Sequence, residues 1–514
     1  MRGGIKGLYC RQIARGFDPT QAVSILQKSY TYDKNGNVLT EVDVEGDTTQ
    51  FAYNPSNKVK AILDPVAADN GFTLANAPKR FNYDALGRTV EEITAREEKS
   101  GKDYATYESI KKYDYDDAGN VKAVRSKKNS GAVEKTIEAA EYDYLGNVLT
   151  KTDGNENTTI YEYNNLGKVR KIVTPADVSI NSNTVYYQYD KVGNLKNTVD
   201  TKGTASVTTD DVQQLYSYDN RGNALNYTVQ KLDGTQRVSK STAYDIYGNK
   251  RFETDGNKNT TSYEYNELNK LVKSSIDVYD IDGDKTTHTK GYDYDKNGNV
   301  LVETDHLNNS VTYTYDSLNR LREKKDPYGK SVEKLNYYND NTQSEAFDAL
   351  NNRTLFVYDK NNKLTSTTDA ENHVISNTYD VAGNVKTKED GRTNTTYYGY
   401  DEFGRLTEVT AEVDGELQTT VYTYDLNGNM TSQRDAKLNK TIYEYNAANK
   451  LDKRYVDGQT SSENYIYNAD GSLYKKEDKK GIVTTYTYYA DGNVEEQTVG
   501  TSGKEGYVKI VYTY

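Results

Sequence analysis

Aromatic and branched residues alternate with polar residues in short runs along almost the whole chain. In the stretch SVTYTYDSLNRL at 310–321, such residues stand at positions 311, 313 and 315, and Leu321 follows the polar cluster DSLNR. Alternation with a period of two predicts half-buried β-strands, and a polar cluster with Gly or Asn between them predicts a turn. The stretch therefore predicts two strands joined as a hairpin.

This hairpin pattern recurs about twenty times, most often at a spacing of 21 residues. We take as the anchor of each copy the tyrosine that precedes its turn. Two residues before the anchor sixteen copies have Tyr or Phe, and six residues after it seventeen have an apolar residue. Each unit is predicted to be strand–turn–strand–turn. The anchors are Tyr32, Tyr53, Tyr83, Tyr115, Tyr142, Tyr163, Tyr189, Tyr218, Tyr244, Tyr265, Tyr294, Tyr315, Tyr337, Tyr358, Tyr379, Tyr400, Tyr424, Tyr445, Tyr467 and Tyr488.

The position four residues after the anchor predicts the turn type. It is Gly in fourteen copies and Asn in six, and both residues tolerate a positive φ. The position one after the anchor is Asp in thirteen copies and Asn in five. Asp or Asn followed three residues later by Gly is typical of a type I turn closed by a bulge. We therefore expect the Asp of each pair to accept backbone N–H bonds rather than to act in catalysis.

A second Asp recurs eleven residues after the anchor and predicts a return turn between units, as in TDGNENTT at 152–159. The string DPYG at 326–329 falls at this position, so it is interpreted as a return turn as well. Longer copies carry extra tips, which predict hairpins that project past their neighbours. These tips are LDGT at 232–235, IDGD at 281–284 and VDGE at 413–416.

The number of strands predicts how the sheet behaves as a whole. About forty strands at roughly 4.8 Å each give about 190 Å of sheet, and open sheets of more than about ten strands curl or close. Rolled once, this sheet would enclose a tube about 60 Å across. We therefore predict an all-β spiral of tandem antiparallel hairpins around a hollow, with a stack of narrow solenoid turns as the competing arrangement. The predicted domains are an irregular segment at 1–29 and one continuous β-shell at 30–514.

Composition agrees with a thin sheet rather than a thick core. The hydrophobic fraction is 35%, mean hydropathy is −0.93, and there are 50 Tyr against 8 Phe and no Trp. The net charge of −12 is spread without a basic stripe, which argues against nucleic-acid binding. The single cysteine, Cys10, allows no intrachain disulfide. No apolar run is long enough to predict a membrane span, and the N-terminal residues do not form a complete signal peptide.

Few residues suggest chemistry. The histidines His288, His306 and His373 lie in different copies, none at metal-ligand spacing from another His or Cys, and we expect them on the surface or in loops. The best metal candidate is DIDGD at Asp280–Asp284, whose alternating carboxylates could bind Ca²⁺, although an acidic hairpin tip is favoured. We predict no catalytic, cofactor-binding or metal-binding residues, no cofactor and no enzyme activity.

The recurring Y-D-x-x-G-[NRK]-[VL] pattern resembles the YD repeats of bacterial RHS proteins, wall-associated proteins, shell subunits of insecticidal toxin complexes and teneurins. The resemblance covers residues 30–514. It implies a spiralling β-hairpin shell, often a hollow container around a C-terminal toxic domain. Family members usually continue into a self-cleaving core with DPxG-type motifs. This chain departs from that pattern and ends within a repeat, so no protease residues are transferred and an incomplete shell with an open end is expected.

The sequence favours two functions. The first is a non-catalytic shell or scaffold segment of a secreted or cell-surface polymorphic toxin, which encapsulates or presents a C-terminal passenger absent from this chain. The alternative is a carbohydrate-binding adhesin of the cell surface or cell wall. The expected partners are accordingly a passenger or toxin polypeptide, or a cell-surface glycan. Location outside the cell is implied by the resemblance alone.

Overall fold

The sheet is a single antiparallel meander. The computed structural model describes residues 6–10, 25–204, 208, 211–279, 285–500 and 506–513. These residues form 42 strands and one short helix, and each strand pairs antiparallel with the next along the chain. Within the described ranges the first strand does not pair with the last, so the sheet is open. The prediction of an all-β fold is confirmed.

The strands of the first half are β1 (Lys6–Cys10), β2 (Ile25–Tyr32), β3 (Val38–Val42), β4 (Thr48–Tyr53), β5 (Val59–Leu63), β6 (Lys79–Tyr83), β7 (Thr89–Ser100), β8 (Asp103–Tyr115), β9 (Val121–Lys128), β10 (Lys135–Tyr142), β11 (Val148–Asp153), β12 (Thr158–Tyr163), β13 (Val169–Val173), β14 (Thr184–Tyr189), β15 (Leu195–Asp200), β16 (Val212–Tyr218), β17 (Ala224–Lys231), β18 (Val238–Tyr244), β19 (Lys250–Thr254), β20 (Thr260–Tyr265) and β21 (Leu271–Tyr279).

The strands of the second half are β22 (Lys285–Tyr294), β23 (Val300–Thr304), β24 (Ser310–Tyr315), β25 (Leu321–Lys325), β26 (Ser331–Tyr337), β27 (Gln343–Asp348), β28 (Arg353–Tyr358), β29 (Leu364–Thr368), β30 (Val374–Tyr379), β31 (Val385–Glu389), β32 (Thr395–Tyr400), β33 (Leu406–Val413), β34 (Glu416–Tyr424), β35 (Met430–Arg434), β36 (Lys440–Tyr445), β37 (Leu451–Val456), β38 (Ser462–Tyr467), β39 (Leu473–Glu477), β40 (Val483–Tyr488), β41 (Val494–Val499) and β42 (Val508–Val511).

Two local features differ from the sequence prediction. The segment expected to be irregular contains β1, which pairs with β2, because an edge strand offers unpaired backbone groups that a segment without the repeat motif can satisfy. A helix, α1 (Pro65–Asp69), interrupts the long second copy. The Asp64 carboxylate caps α1 by accepting from the Ala67 N–H at 2.9 Å, and Pro65 occupies the first turn, where its missing N–H costs nothing.

The ribbon of hairpins coils back onto itself at a constant interval. The Asn361 side-chain amide donates to the Asp64 carboxylate at 2.7 Å across 297 positions. Asp64 follows anchor Tyr53 and Asn361 follows Tyr358, the twelfth anchor after it. The same offset of twelve repeats separates Asn155 from Asp425, which are 2.8 Å apart between side-chain atoms. One turn of the spiral therefore takes twelve hairpins.

This offset makes the tube narrower than a sheet rolled once. Twenty-four strands at roughly 4.8 Å give a circumference of about 115 Å and a diameter of about 37 Å between opposite walls. The figure of about 60 Å, which assumed that the sheet is rolled once, is too large because the sheet winds through more than one turn, with the edge of the second coil against the edge of the first. We call the repeats anchored at Tyr32 to Tyr315 the first coil and those anchored at Tyr337 to Tyr488 the second coil.

The wall is a single layer. The chain exposes 31036 Å², whereas a compact monomer of 58.0 kDa would expose about 19,000 Å². Fully buried apolar side chains in the described ranges form only small clusters, such as Ala61, Leu63, Ala67 and Ala77 beneath α1. The space inside the coil is thus not filled by a side-chain core.

The two edges of the ribbon differ. The turns that follow the anchors lie on one edge and have the same length in every copy, whereas all variation in hairpin length falls on the edge of the return turns. The longest such hairpin joins β7 and β8, of 12 and 13 residues. The predicted tip at 413–416 also closes a longer hairpin, through Asp414 and Gly415 at φ 52° and 81°.

Candidate functional site

The anchor turns have the geometry that the sequence predicts. In a representative copy the Asp143 carboxylate accepts from the backbone N–H groups of Leu145 and Asn147, both at 2.9 Å. The Gly146 N–H donates to the Asp143 carbonyl at 3.0 Å, with Gly146 at φ 84°. All twenty residues at the Gly/Asn position have a positive φ, and each anchor stands at a register shift. The type I turn with a bulge is confirmed.

The side chain of the residue five positions after the anchor adds a further hydrogen bond to the turn. The Asn147 side-chain amide donates to the second Asp143 carboxylate oxygen at 2.8 Å, and this hydrogen bond lowers the pKa of Asp143. In three copies an Arg takes the place of Asn and donates through Nε, as Arg405 does to Asp401 at 2.7 Å. The sequence pattern contained this position as N, R or K, but its role was missed because the partner lies four residues back in the same turn.

The anchor tyrosines join consecutive hairpins. The Tyr424 hydroxyl donates to the Leu406 carbonyl at 2.7 Å, and the Tyr467 hydroxyl donates to the Leu451 carbonyl at 2.9 Å. In each case the acceptor lies six residues after the preceding anchor. Burial raises the pKa of Tyr400 to about 12. The same bond is made by Tyr83, Tyr115, Tyr142, Tyr189, Tyr218, Tyr244, Tyr294, Tyr337, Tyr379, Tyr400, Tyr445 and Tyr488.

These hydrogen bonds explain why the pair of an anchor tyrosine and a following Asp or Asn recurs so often. The tyrosine ring is half-buried against its neighbours in every copy, and in fourteen copies its hydroxyl satisfies a backbone carbonyl where the bulge interrupts the ladder. The aspartate satisfies the turn's own N–H groups. Both side chains are therefore engaged in holding the hairpins together, which is a structural use of the pair.

The return turns use the second Asp in the same way. The Asp326 carboxylate accepts from the N–H groups of Tyr328 and Lys330 at 3.0 and 2.8 Å, so the interpretation of DPYG as a return turn is confirmed. Some return turns place unfavourable residues at the left-handed position. Thr393 and Leu438 have φ of 67° and 68°, which costs about 1–2 kcal/mol for such side chains.

Return turns of the first coil meet anchor turns of the second coil along a line that we call the seam. The Asp177 carboxylate accepts from the Ala447 N–H at 2.5 Å, and the Lys202 ammonium lies 2.5 Å from the Asp470 carboxylate. Farther along, the Gln236 side chain accepts from the Ala490 N–H at 3.0 Å. These contacts join residues 254 to 270 positions apart.

Glycines allow the two coils to approach closely at the seam. A Cβ on Gly154 would stand 2.6 Å from the Leu426 Cβ and 3.1 Å from its backbone carbon. A Cβ on Gly203 would stand 2.4 Å from the Ala469 Cβ. Gly154 does not have a positive φ, so close contact with the second coil, rather than backbone conformation, is the reason that it is Gly.

The long β7–β8 hairpin clamps the second coil across the seam. The Tyr104 hydroxyl donates to the carbonyls of Lys386 and Tyr398 at 2.8 and 3.0 Å. Lys99 is buried, pairs with the Glu408 carboxylate and donates to the Thr410 hydroxyl at 2.8 Å. A Cβ on Gly399 would meet the Lys99 Cβ at 3.1 Å. A glycine directly before an anchor therefore marks where the hairpin packs, a signal that sequence reasoning did not use.

The predicted chemical candidates that the structure describes do not converge into a site. His288 and His306, which lie in different copies, stack with ring centroids 4.3 Å apart; His288 is in β22 and His306 is in the return turn that follows β23. His373 is exposed and lies 3.1 Å from the Asp369 carboxylate in a return turn. In the described ranges no three His, Cys, Asp or Glu side chains converge as metal ligands. The calcium candidate Asp280–Asp284 lies outside the described residues.

The same ranges hold no helix that is long and apolar enough to cross a membrane. The strands and turns thus leave two features to which a function can be assigned, a thin coiled wall and the edges of its coils.

Comparisons with known proteins agree with this architecture. The RHS Repeat family model matches residues 142–179, 294–331 and 379–417. No curated protein matches the chain. A solved structure of the Photorhabdus luminescens Tc holotoxin pore, with a mutation in TccC3, is 13% identical with a TM-score of 0.59 over 96% of this chain and 30% of that chain. Crystal structures of TcdB2-TccC3-TEV and TcdB2-TccC3-Cdc42 are each 14% identical, with TM-scores of 0.58 and 0.56.

These matches cover nearly all of this chain but less than a third of the similar chains. They cover 96% and 99% of this chain but only 29% and 30% of the TcdB2-TccC3 chains. The common fold is a spiral of antiparallel β-hairpins, so the protein is of the β-shell class. More particularly, the segments at 142–179, 294–331 and 379–417 match RHS repeats, also called YD repeats.

Proposed function

We propose that this chain is a segment of wall in a secreted or cell-surface toxin assembly and that it shields a passenger polypeptide not contained in the chain. The observation that supports this most is the contact between hairpins twelve repeats apart, such as Asn361 with Asp64, around a space that apolar side chains do not fill. A wall that is one layer thick and closed on itself by a seam has the form of a container.

The dimensions of the coil indicate the state of the passenger. With side chains taking about 5 Å on each side, a tube about 37 Å across leaves a lumen of about 27 Å. A folded domain of 100 residues has a radius of gyration of about 13 Å and is therefore about 34 Å across. We expect the passenger to be extended or partly folded within the wall, since a compact domain of that size exceeds the lumen.

The engagement of the anchor tyrosines favours the shell over the adhesin. A carbohydrate-binding face needs exposed aromatic rings with hydroxyls free to meet sugars. The anchor rings are half-buried, and fourteen of their hydroxyls donate to backbone carbonyls, as Tyr424 does to Leu406. The toxin complexes among the similar structures, which include TccC3, give the shell proposal its context of a secreted assembly with a toxin partner.

Protease protection of a tethered passenger tests the proposal. A short unstructured polypeptide is fused after residue 514, and its cleavage rate is compared with that of the same polypeptide free in solution. Slower cleavage in the fusion is expected, and Gly154→Leu should abolish this protection, because its side chain would collide with Leu426 and open the seam. Gly131→Leu is the matched control, since a Cβ on Gly131 meets nothing within 4 Å. Equal cleavage rates for the free and tethered polypeptide would overturn the proposal.

A further inference from the structure

The large apolar residues of the described ranges that are at least 65% exposed all lie in turns or loops. In the first coil most of them occupy the second or third position after the anchor, at the middle of the anchor turns. Eight such side chains are 65 to 93% exposed. We call this set the first rim; its members are Leu86, Tyr144, Leu145, Leu166, Val192, Ile246, Tyr247 and Leu268.

The apolar residues at the equivalent positions in the second coil are covered or half-buried. Ala447 and Ala490 stand second after their anchors and are 5 and 8% exposed, and Leu426 packs over Gly154. What covers them is the return-turn edge of the first coil, along the seam. The anchor-turn edge is therefore covered where a coil lies against it, and where none does it exposes apolar side chains in six of its twelve turns.

The opposite end of the spiral carries the complementary edge. Return turns of the repeats anchored at Tyr294 and later, which have no repeat twelve copies further on against them, also carry exposed apolar residues, 46 to 94% exposed. We call this set the second rim; its members are Leu307, Tyr328, Leu350, Leu438 and Ile482. The seam shows that a return-turn edge and an anchor-turn edge of this chain can pack against one another, and the two rims are edges of these two types.

We propose that the first rim binds the second rim of another copy of this chain, so that coils stack head to tail and continue the seam between molecules. Such contact uses two different surfaces, is heterologous, and extends until an end is capped. A specific interface buries about 800 Å² on each partner, and eight large side chains at the first rim carry on the order of 1,000 Å². The inference does not depend on what the lumen holds.

The repeats themselves supply variants that keep the turns intact. Tyr144→Lys with Leu145→Asn converts the turn YDYLGN into YDKNGN, the sequence found natively at 32–37 and 294–299. Ile246→Lys with Tyr247→Asn does the same for YDIYGN. These four changes together form the first-rim variant, which removes half of the rim without introducing a turn that is foreign to the fold.

The second-rim variant is built in the same way. Leu307→Glu and Leu350→Glu place Glu where the return turn DAENH at 369–373 has Glu371, whose side chain is 82% exposed. Val133→Asn is the control, because Val133 is 86% exposed at a turn outside both rims. Circular dichroism and thermal unfolding establish that each variant retains the fold.

Sedimentation velocity over a concentration series distinguishes the outcomes. The wild-type chain and the Val133→Asn control should form species whose mass increases with concentration, and each rim variant alone should remain a monomer. An equal mixture of the two variants should form a dimer that does not grow, because only one productive pair of rims is left. The proposal is overturned by a wild-type chain that stays monomeric, by rim variants that assemble like the wild type, or by a second-rim variant that dimerises alone, which would indicate a two-fold contact.

Discussion

Replacing Thr393 by Asn should stabilise the return turn in which it lies. Thr393 is β-branched and held at φ 67°. The equivalent position is Asn in three other return turns, Asn308, Asn351 and Asn372, at φ 64° to 67°. A side chain unsuited to the left-handed region costs about 1–2 kcal/mol, and Asn tolerates that region.

One hydrogen bond offsets part of the expected gain. The Thr393 hydroxyl donates to the Arg392 carbonyl at 2.6 Å, and the substitution removes this exposed contact, which is worth about 0.5 kcal/mol. The net stabilisation should therefore be about 0.5–1.5 kcal/mol. Because opening of a repeat array is local, the effect belongs to β31 and β32, the strands that this turn connects, rather than to the whole chain.

Native-state hydrogen exchange measures this local free energy. Amides of β31 and β32 should exchange about fivefold more slowly for each kcal/mol gained, while amides of distant strands should be unchanged. Asn372→Thr is the reciprocal control, and it should accelerate exchange in β29 and β30 by a similar factor. If both substitutions shift exchange in the same direction, or if neither changes it, the account of strain at these turns is wrong.

Three further outcomes are expected. Tyr424→Phe should destabilise its repeat by about 1 kcal/mol, because the Leu406 carbonyl loses its donor; unchanged exchange in β33 and β34 would contradict this. Gly154→Ala should lower the thermal midpoint while Gly131→Ala does not, since only the first Cβ collides across the seam; equal midpoints would argue against a close seam. Burial raises the pKa of many anchor tyrosines, that of Tyr400 to about 12, so their stabilising contribution is complete below about pH 10 and is lost as pH rises through the folded-state pKa values. Circular dichroism with absorbance at 295 nm should show unfolding and tyrosine ionisation together above pH 10, and ionisation at ordinary pKa values in a folded chain would refute it.

The hairpins could be predicted from sequence because each is specified by residues within about twenty positions. The Gly or Asn at φ > 0, the turn Asp and the aromatic pair are all local signals, and the structure places each where the pattern indicates. The position five after the anchor was in the pattern but gave no indication of its partner. Local signals thus determined the repeat unit and the all-β fold.

The radius of the coil and the position of the seam could not be predicted in this way. The strings at 152–155 and 254–257 are both TDGN, yet Gly154 is buried against Leu426 while Gly256 is exposed. Which of the two meets a second coil depends on the twist accumulated over twelve hairpins, and no single repeat encodes that sum. The stacking of His288 on His306 was missed for a related reason, since pairing across strands is set by register rather than by sequence spacing.

The seam has a consequence for the order in which the protein is made. Asn155 and Asp425, which meet across it, are 270 positions apart. At 5–20 residues per second, about 15–55 s pass between the synthesis of the first and the arrival of the second. Each hairpin can form as it emerges, but the edge that holds Gly154 and Gly203 stays uncovered throughout this interval. The first coil therefore serves as the template against which the second coil packs. Until the second coil has been synthesised, the growing chain is most prone to misassociation along the exposed return-turn edge of the first coil.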